Sequence, residues 1–182
     1  YRHHFTRAAF TDGSCVDPRR EGGDAKKVVS YGIWEGVLPE SEVPVPRPRW
    51  EAYTPTQRLE RCIGAGLWGG ALPADWNNID AEMYAIYAFL QKVAGRSRNV
   101  AGERVLVLSD CRPVLEAIEN TWRAGSAEPY VRDRGGMLEA ICALRQQMDR
   151  VIFVWCPGHE GISGNEYADM VATAYGDRPT DL

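Results

Sequence analysis

The sequence predicts an α/β fold, a mixed five-stranded sheet (three antiparallel strands, then parallel ones) flanked by helices. Three observations predict it. Short apolar runs bounded by turn residues occur three times before any long helical pattern begins. Two later apolar runs, Val105 to Leu108 and Val151 to Cys156, are set between segments of helical period. Strands in close succession pair antiparallel, whereas strands separated by helices join a sheet in parallel.

Each element has its own reason. His4 to Asp12 reads as a strand ending at the turn signal Asp12-Gly13, with a polar loop from Ser14 to Lys27. Val28 to Gly36 reads as the second strand. The stretch 39–61 carries Pro39, Pro44, Pro46, Pro48 and Pro55 with many charges and no period, so it reads as a surface insertion. Cys62 to Leu72 is a Gly-rich third strand. From Asn77 to Val93, Met83, Ile86, Tyr87, Leu90 and Val93 recur at helical spacing and predict a core-facing helix. Val105 to Leu108 is a short buried strand ending in Ser109-Asp110. Pro113 suits the first turn of the next helix, whose apolar side is Val114, Leu115, Ile118 and Trp122. After a loop from Ser126 to Gly135, Gly136 to Met148 aligns Leu138, Ile141, Leu144 and Met148. Val151 to Cys156 is the fifth strand, Pro157 to Gly164 a loop, and the last helix runs from about Asn165 to Tyr175. Ser163 and Glu166 have the spacing of a capping box at its start.

Composition narrows the function classes. A chain of 182 residues and 20.3 kDa predicts a single domain, 1–182. With 45% apolar and 25% charged residues it has globular composition. The longest apolar run, Ile63 to Leu72, is half a membrane span even with its glycines counted, so no membrane partner is expected. Tyr1-Arg2-His3-His4 is no signal peptide and lacks an initiating Met, which suggests a segment of a longer chain. The net charge of −4 argues against a strongly basic nucleic-acid binder but not against one with few contacts. Apart from Lys26, Lys27 and Lys92, all 21 cations are Arg. The 5 Cys form no C-x-x-C pair, which predicts an intracellular, reducing compartment, nuclear or cytoplasmic, without a zinc site. A monomeric domain is expected.

Four carboxylates fall where they could act together. Asp12 and Asp110 close the first and fourth strands, and sites in open α/β sheets form beyond such ends. Glu82 lies near the start of the first helix and Asp169 about one turn into the last. Singly, each has a plain structural explanation: Asp12 as a turn residue, Glu82 as a first-turn charge, Asp110 as an N-cap and Asp169 as a solvated helix residue. Together they would repel unless cations neutralised them. All-oxygen ligands select hard ions such as Mg²⁺ or Mn²⁺, and two such ions can clamp the attacking and leaving oxygens of a phosphodiester.

The surroundings are more specific. Phe10-Thr11-Asp12-Gly13-Ser14-Cys15, Asp80-Ala81-Glu82-Met83-Tyr84, Leu108-Ser109-Asp110-Cys111 and the block from Trp155 through Gly158-His159-Glu160-Gly161 and Gly164-Asn165-Glu166 to Asp169 occur in that order. Together they resemble the type 1 ribonuclease H family, and especially the domains attached to reverse transcriptases of non-LTR retrotransposons. The resemblance spans about Phe5 to Tyr175.

It implies a ribonuclease H-like fold and an endonuclease that hydrolyses the RNA strand of RNA–DNA hybrids, leaving 5′-phosphate and 3′-hydroxyl ends. It implies two Mg²⁺ ions, replaceable by Mn²⁺, held by Asp12, Glu82, Asp110 and Asp169. Asp12 would bridge both ions, Asp169 would share the one serving the attacking water, and Glu82 and Asp110 would hold the other. His159 matches the family's loop histidine, suited to moving protons near neutrality. Gly13, Ser14, Cys15, Asn77 and Asn78 are the implied substrate contacts, although Asn78 precedes Glu82 by four residues instead of three. Asn165 would position substrate or cap the helix, and Trp122 would stack on the DNA strand or join the core. The stretch Ser126 to Gly136 is short and nearly neutral where cellular relatives carry a basic segment. Hybrid affinity would then come from a covalently linked polymerase or hybrid-binding domain; the insertion's Arg47, Arg49, Arg58 and Arg61 would touch phosphate or, as the favoured reading, simply belong to a solvated loop.

Rival readings fit less well. Proofreading exonucleases of this fold place Asp-x-Glu on the first strand, where this chain has Ser14 after Gly13. Integrase-like transposases lack the intervening Glu in this arrangement. A catalytically idle module for scaffolding or nucleic-acid binding remains the alternative, although such modules commonly lose an acid.

Overall fold

In the computed structural model, residues 5–17, 26–36, 66–125 and 136–176 are described. The strands are β1 (Arg7–Val16), β2 (Val28–Glu35), β3 (Leu67–Leu72), β4 (Arg104–Ser109) and β5 (Arg150–Trp155). The helices are α1 (Asn78–Arg96), α2 (Arg112–Ala124), α3 (Met137–Gln146) and α4 (Ser163–Gly176). The five strands form one sheet in the order β3-β2-β1-β4-β5. β1 pairs antiparallel with β2, and β2 with β3, while β1–β4 and β4–β5 are parallel. The chain thus forms the mixed five-stranded sheet with helices that its sequence predicts. The insertion at 39–61, the start of the third strand at Cys62 and most of the stretch 126–136 lie outside the described residues.

The main core lies between the sheet and α1, α2 and α3. Met83, Ile86, Phe89 and Leu90 of α1 meet Ile118 of α2, Leu138 and Ile141 of α3, and Val105 and Val107 of β4. Each such side chain contributes about 1.5–3 kcal/mol relative to exposure. Tyr87 is half-buried on the rim of this cluster. Helix α4 covers the other face, over β1, β2 and β3. Among the described residues, no helix is long and apolar enough to cross a membrane.

Several boundaries differ from expectation, each for a local reason. β1 does not end at Asp12-Gly13; it continues to Val16, with Asp12 opposite Gly32 and Gly13 opposite Tyr31. Gly13 serves close approach rather than a turn. A Cβ there would lie 2.5 Å from the Glu82 nitrogen, so only glycine lets α1 rest against the strand. Helix α1 begins with a capping box absent from the sequence reading. Asn77 Oδ1 accepts from the Asp80 N–H at 2.9 Å, and Asp80 Oδ2 accepts from the Asn77 N–H at 2.9 Å. At the start of α4, Ser163 is already helical, and Glu166 Oε1 accepts from the Gly161 N–H at 3.3 Å. Trp122 does not join the core: it is 40% exposed, with the Arg145 guanidinium over its ring.

Candidate metal centre

The site forms where the parallel ladder between β1 and β4 runs out. Its last pair is Thr11 and Ser109, so Asp12 and Asp110 are the first residues beyond it on each strand. Gly13 lets α1 approach, which brings Glu82 to the same place. Asp12, Glu82 and Asp110 each offer one ligand oxygen, and these oxygens lie within 4.8 Å of one another. Asp12 and Glu82 are buried, at 6% and 3% exposure, while Asp110 is half-buried.

Asp169 arrives from the opposite face. Its neighbour Ala168 packs on Gly32, where a Cβ would meet the Ala168 carbonyl oxygen at 2.0 Å, and Gly32 is the partner of Asp12. Asp169 stands outside the set of three, but its charge is felt at Asp12, and it feels that of Asp110. The four acids are therefore one electrostatic group with three members in ligand range of each other.

Burial, and then the neighbouring acids Asp110 and Asp169, push the Asp12 carboxyl well above the usual carboxylate range. Glu82 is also pushed well above it, by burial first and then by Asp12 and Asp110. A backbone hydrogen bond from Gly13 favours the ionised form of both. Burial raises the Asp169 carboxyl too, while His159 acts against the rise. Glu82 Oε2 is buried and has no hydrogen-bond partner. An orphaned buried oxygen inside a cluster of hard donors is what a divalent cation would satisfy, so these residues fit Mg²⁺ or Mn²⁺.

The loop after β5 closes the site on one side. Gly158 lies against Asp110, and a Cβ there would sit 2.4 Å from Oδ2. His159 is exposed and has a positive φ of 56°, a strained setting for a residue with a side chain. The Trp155 indole N–H donates to the Asp110 carbonyl at 3.0 Å, and the Arg112 guanidinium lies 4.4 Å from its ring centre. Burial first, then nearby carboxylates, push the thiols of Cys111 and Cys156 up to about 12 and about 11. Among the described residues Cys15, Cys111, Cys142 and Cys156 are unbridged.

The remaining sequence candidates separate. Gly13 is buried under α1, and Ser14 and Cys15 are half-buried on the last residues of β1. Asn77 is engaged in the cap, and Asn78 is exposed beside it. Asn165 is 2% exposed and donates through Nδ2 to Asp110 Oδ2 at 3.1 Å, so it faces Asp110 rather than open solvent. Sequence reasoning missed Gly32, and it named Trp155 and Gly158 only as members of the last motif block, without a role. The signal for Gly32 was a lone glycine inside a strand pattern.

Comparison with known proteins bears on the family and the fold. The sequence profile of the RNase H family matches residues 56–175, which include Glu82, Asp110, His159 and Asp169. Among curated protein sequences, none matches the chain. Solved structures of similar fold include a foamy viral protease-reverse transcriptase in complex with dsDNA. It has 17% sequence identity and a TM-score of 0.63, with 97% of each chain covered. The foamy viral protease-reverse transcriptase in complex with RNA/DNA hybrid is also similar, at 17% identity and a TM-score of 0.65. There the match covers 97% of this chain but 21% of the other, so this chain spans about a fifth of that neighbour's length.

Proposed function

This chain belongs to the RNase H family, and we propose that it hydrolyses the RNA strand of RNA–DNA hybrids, giving 5′-phosphate and 3′-hydroxyl ends. The observation that carries the proposal is the clustered triad Asp12, Glu82 and Asp110, with its orphaned buried Glu82 oxygen. Two Mg²⁺ ions, when bound, would supply the positive charge that eases loss of a proton from water and offsets charge on the departing 3′ oxygen. Asp12 would bridge the ions, Asp169 would complete one site from α4, and Glu82 and Asp110 would hold the other. His159, exposed at the rim, would move protons to and from the product side. The geometry needs no covalent intermediate on the protein.

The substrate reading draws support from the family and from the neighbour solved with RNA/DNA hybrid. The net charge of −4 leaves much of the phosphate attraction to bound metal and to a linked domain. We take a covalently joined polymerase as that partner, consistent with the small share of the reverse transcriptase that this chain matches. The test is cleavage of end-labelled hybrid, duplex RNA and duplex DNA in Mg²⁺ and in Mn²⁺. The proposal predicts hybrid-only cleavage, abolished by Asp110→Asn. Binding without cleavage in either metal would instead mark an idle binding module.

A further inference from the structure

We propose that Asn165 is a positioning residue that sets the Asp110 carboxylate for divalent-cation binding, and that the Cys156 thiol sets the orientation of Asn165. This inference rests on the reading of Asp110 as a metal ligand. Asn165 Nδ2 donates to Asp110 Oδ2 at 3.1 Å, and Cys156 Sγ donates to Asn165 Oδ1 at 3.5 Å. Asn165 and Cys156 are 2% and 5% exposed, so the thiol–amide bond is shielded from competing water and the amide–carboxylate bond is partly shielded.

The chemistry explains why an amide stands there. Asp110 shares its surroundings with Asp12 and Glu82, and mutual repulsion drives three carboxylates apart. Something must hold Asp110 in place. An Arg or Lys would do so, but it would also neutralise the negative charge that attracts a cation. A neutral N–H donor holds the carboxylate and leaves its charge in place. It engages Oδ2 and leaves the other oxygen for coordination.

A carboxamide has two ends, and the wrong end would place an oxygen against the carboxylate. The thiol removes that ambiguity. Its S–H donates, so it selects Oδ1 and turns Nδ2 toward Asp110. The Trp155 indole N–H holds the Asp110 main chain from the same segment, and Gly158 leaves room for the carboxylate. The loop from β5 to α4 therefore acts as a clamp on one ligand.

The test is Mn²⁺ titration calorimetry on the whole chain, with hybrid cleavage measured in parallel. Outer-shell partners of metal ligands are worth about 10–100-fold in affinity, so Asn165→Ala should weaken Mn²⁺ binding by that factor. Its kcat should fall while KM for hybrid holds. Cys156→Ser, which keeps a donor, should bind Mn²⁺ as the parent does, whereas Cys156→Ala should bind it more weakly. A folded Asn165→Ala chain with parental Mn²⁺ affinity would overturn the inference. Where Asn165→Ala does not fold, equal affinity in the two Cys156 variants overturns it instead. A parent chain that binds Mn²⁺ but leaves hybrid intact defeats the proposed function and not the clamp; one that binds no Mn²⁺ defeats both.

Discussion

Glu82 and Glu103 are both buried, yet their carboxyls move in opposite directions. Glu103 accepts from Ser97 Oγ at 2.6 Å and Thr6 Oγ1 at 2.5 Å, with Arg7 at 3.7 Å. Those donors, the Ser97 hydroxyl first, hold its carboxyl below the usual range. Glu82 receives a backbone bond from Gly13 and otherwise faces acids. The comparison identifies what Glu82 lacks: a neighbouring positive charge and neutral side-chain donors, the deficit a cation makes good. It also yields a pH prediction. A carboxyl lowered in the folded state contributes stability above its unfolded value, about pH 4.3, and loses it as pH falls through the folded value. Glu103→Gln should therefore be less stable than the parent at neutral pH, and the gap should close as pH falls below about 4. Urea unfolding across pH measures this, and a gap independent of pH would contradict it.

Helices α1 and α4 meet the sheet on opposite faces beside Asp12, each over a glycine. Gly13 admits α1 and Gly32 admits α4, so the elements that carry Glu82 and Asp169 are set by side chains that are missing. Gly32→Ala would place a Cβ 2.0 Å from the Ala168 carbonyl oxygen, and α4 would have to lift. Overpacking of this kind costs about 1–3 kcal/mol. Gly95→Ala, whose added Cβ meets nothing within 4 Å, should instead stabilise α1. Urea denaturation of the two variants checks the contrast, and equal stabilities would refute it. The same glycines explain one misreading of the sequence. Asp12-Gly13 is the signature of a turn, and only the approach of α1, a contact distant in sequence, gives the glycine its other use. Helical periods were legible because they are local, down to the core positions Met83, Ile86, Leu90, Val114 and Ile118. Trp122 shared that period but lies at the end of the apolar arc, where Arg145 can cover it.

Across the whole molecule, the acids of the site come from both ends of the chain. Asp12 precedes the region that the RNase H profile matches, yet its strand is the centre of the sheet and the neighbour of β4. The order of acidic blocks was legible in sequence; the pairing of the first and fourth strands that brings Asp12 beside Asp110 had to be seen in the sheet order. The inequality among the four acids was not. Three oxygens gather within 4.8 Å, while Asp169 joins electrostatically from a helix on the other face, a difference of tertiary placement that no motif encodes. Nor could spacing show that Asn165 looks inward at Asp110. The most direct test is anomalous diffraction from crystals of the chain soaked in Mn²⁺. The account predicts an anomalous peak in coordination contact with Asp12, Glu82 and Asp110. Well-ordered carboxylates with no peak between them at saturating Mn²⁺ would contradict it.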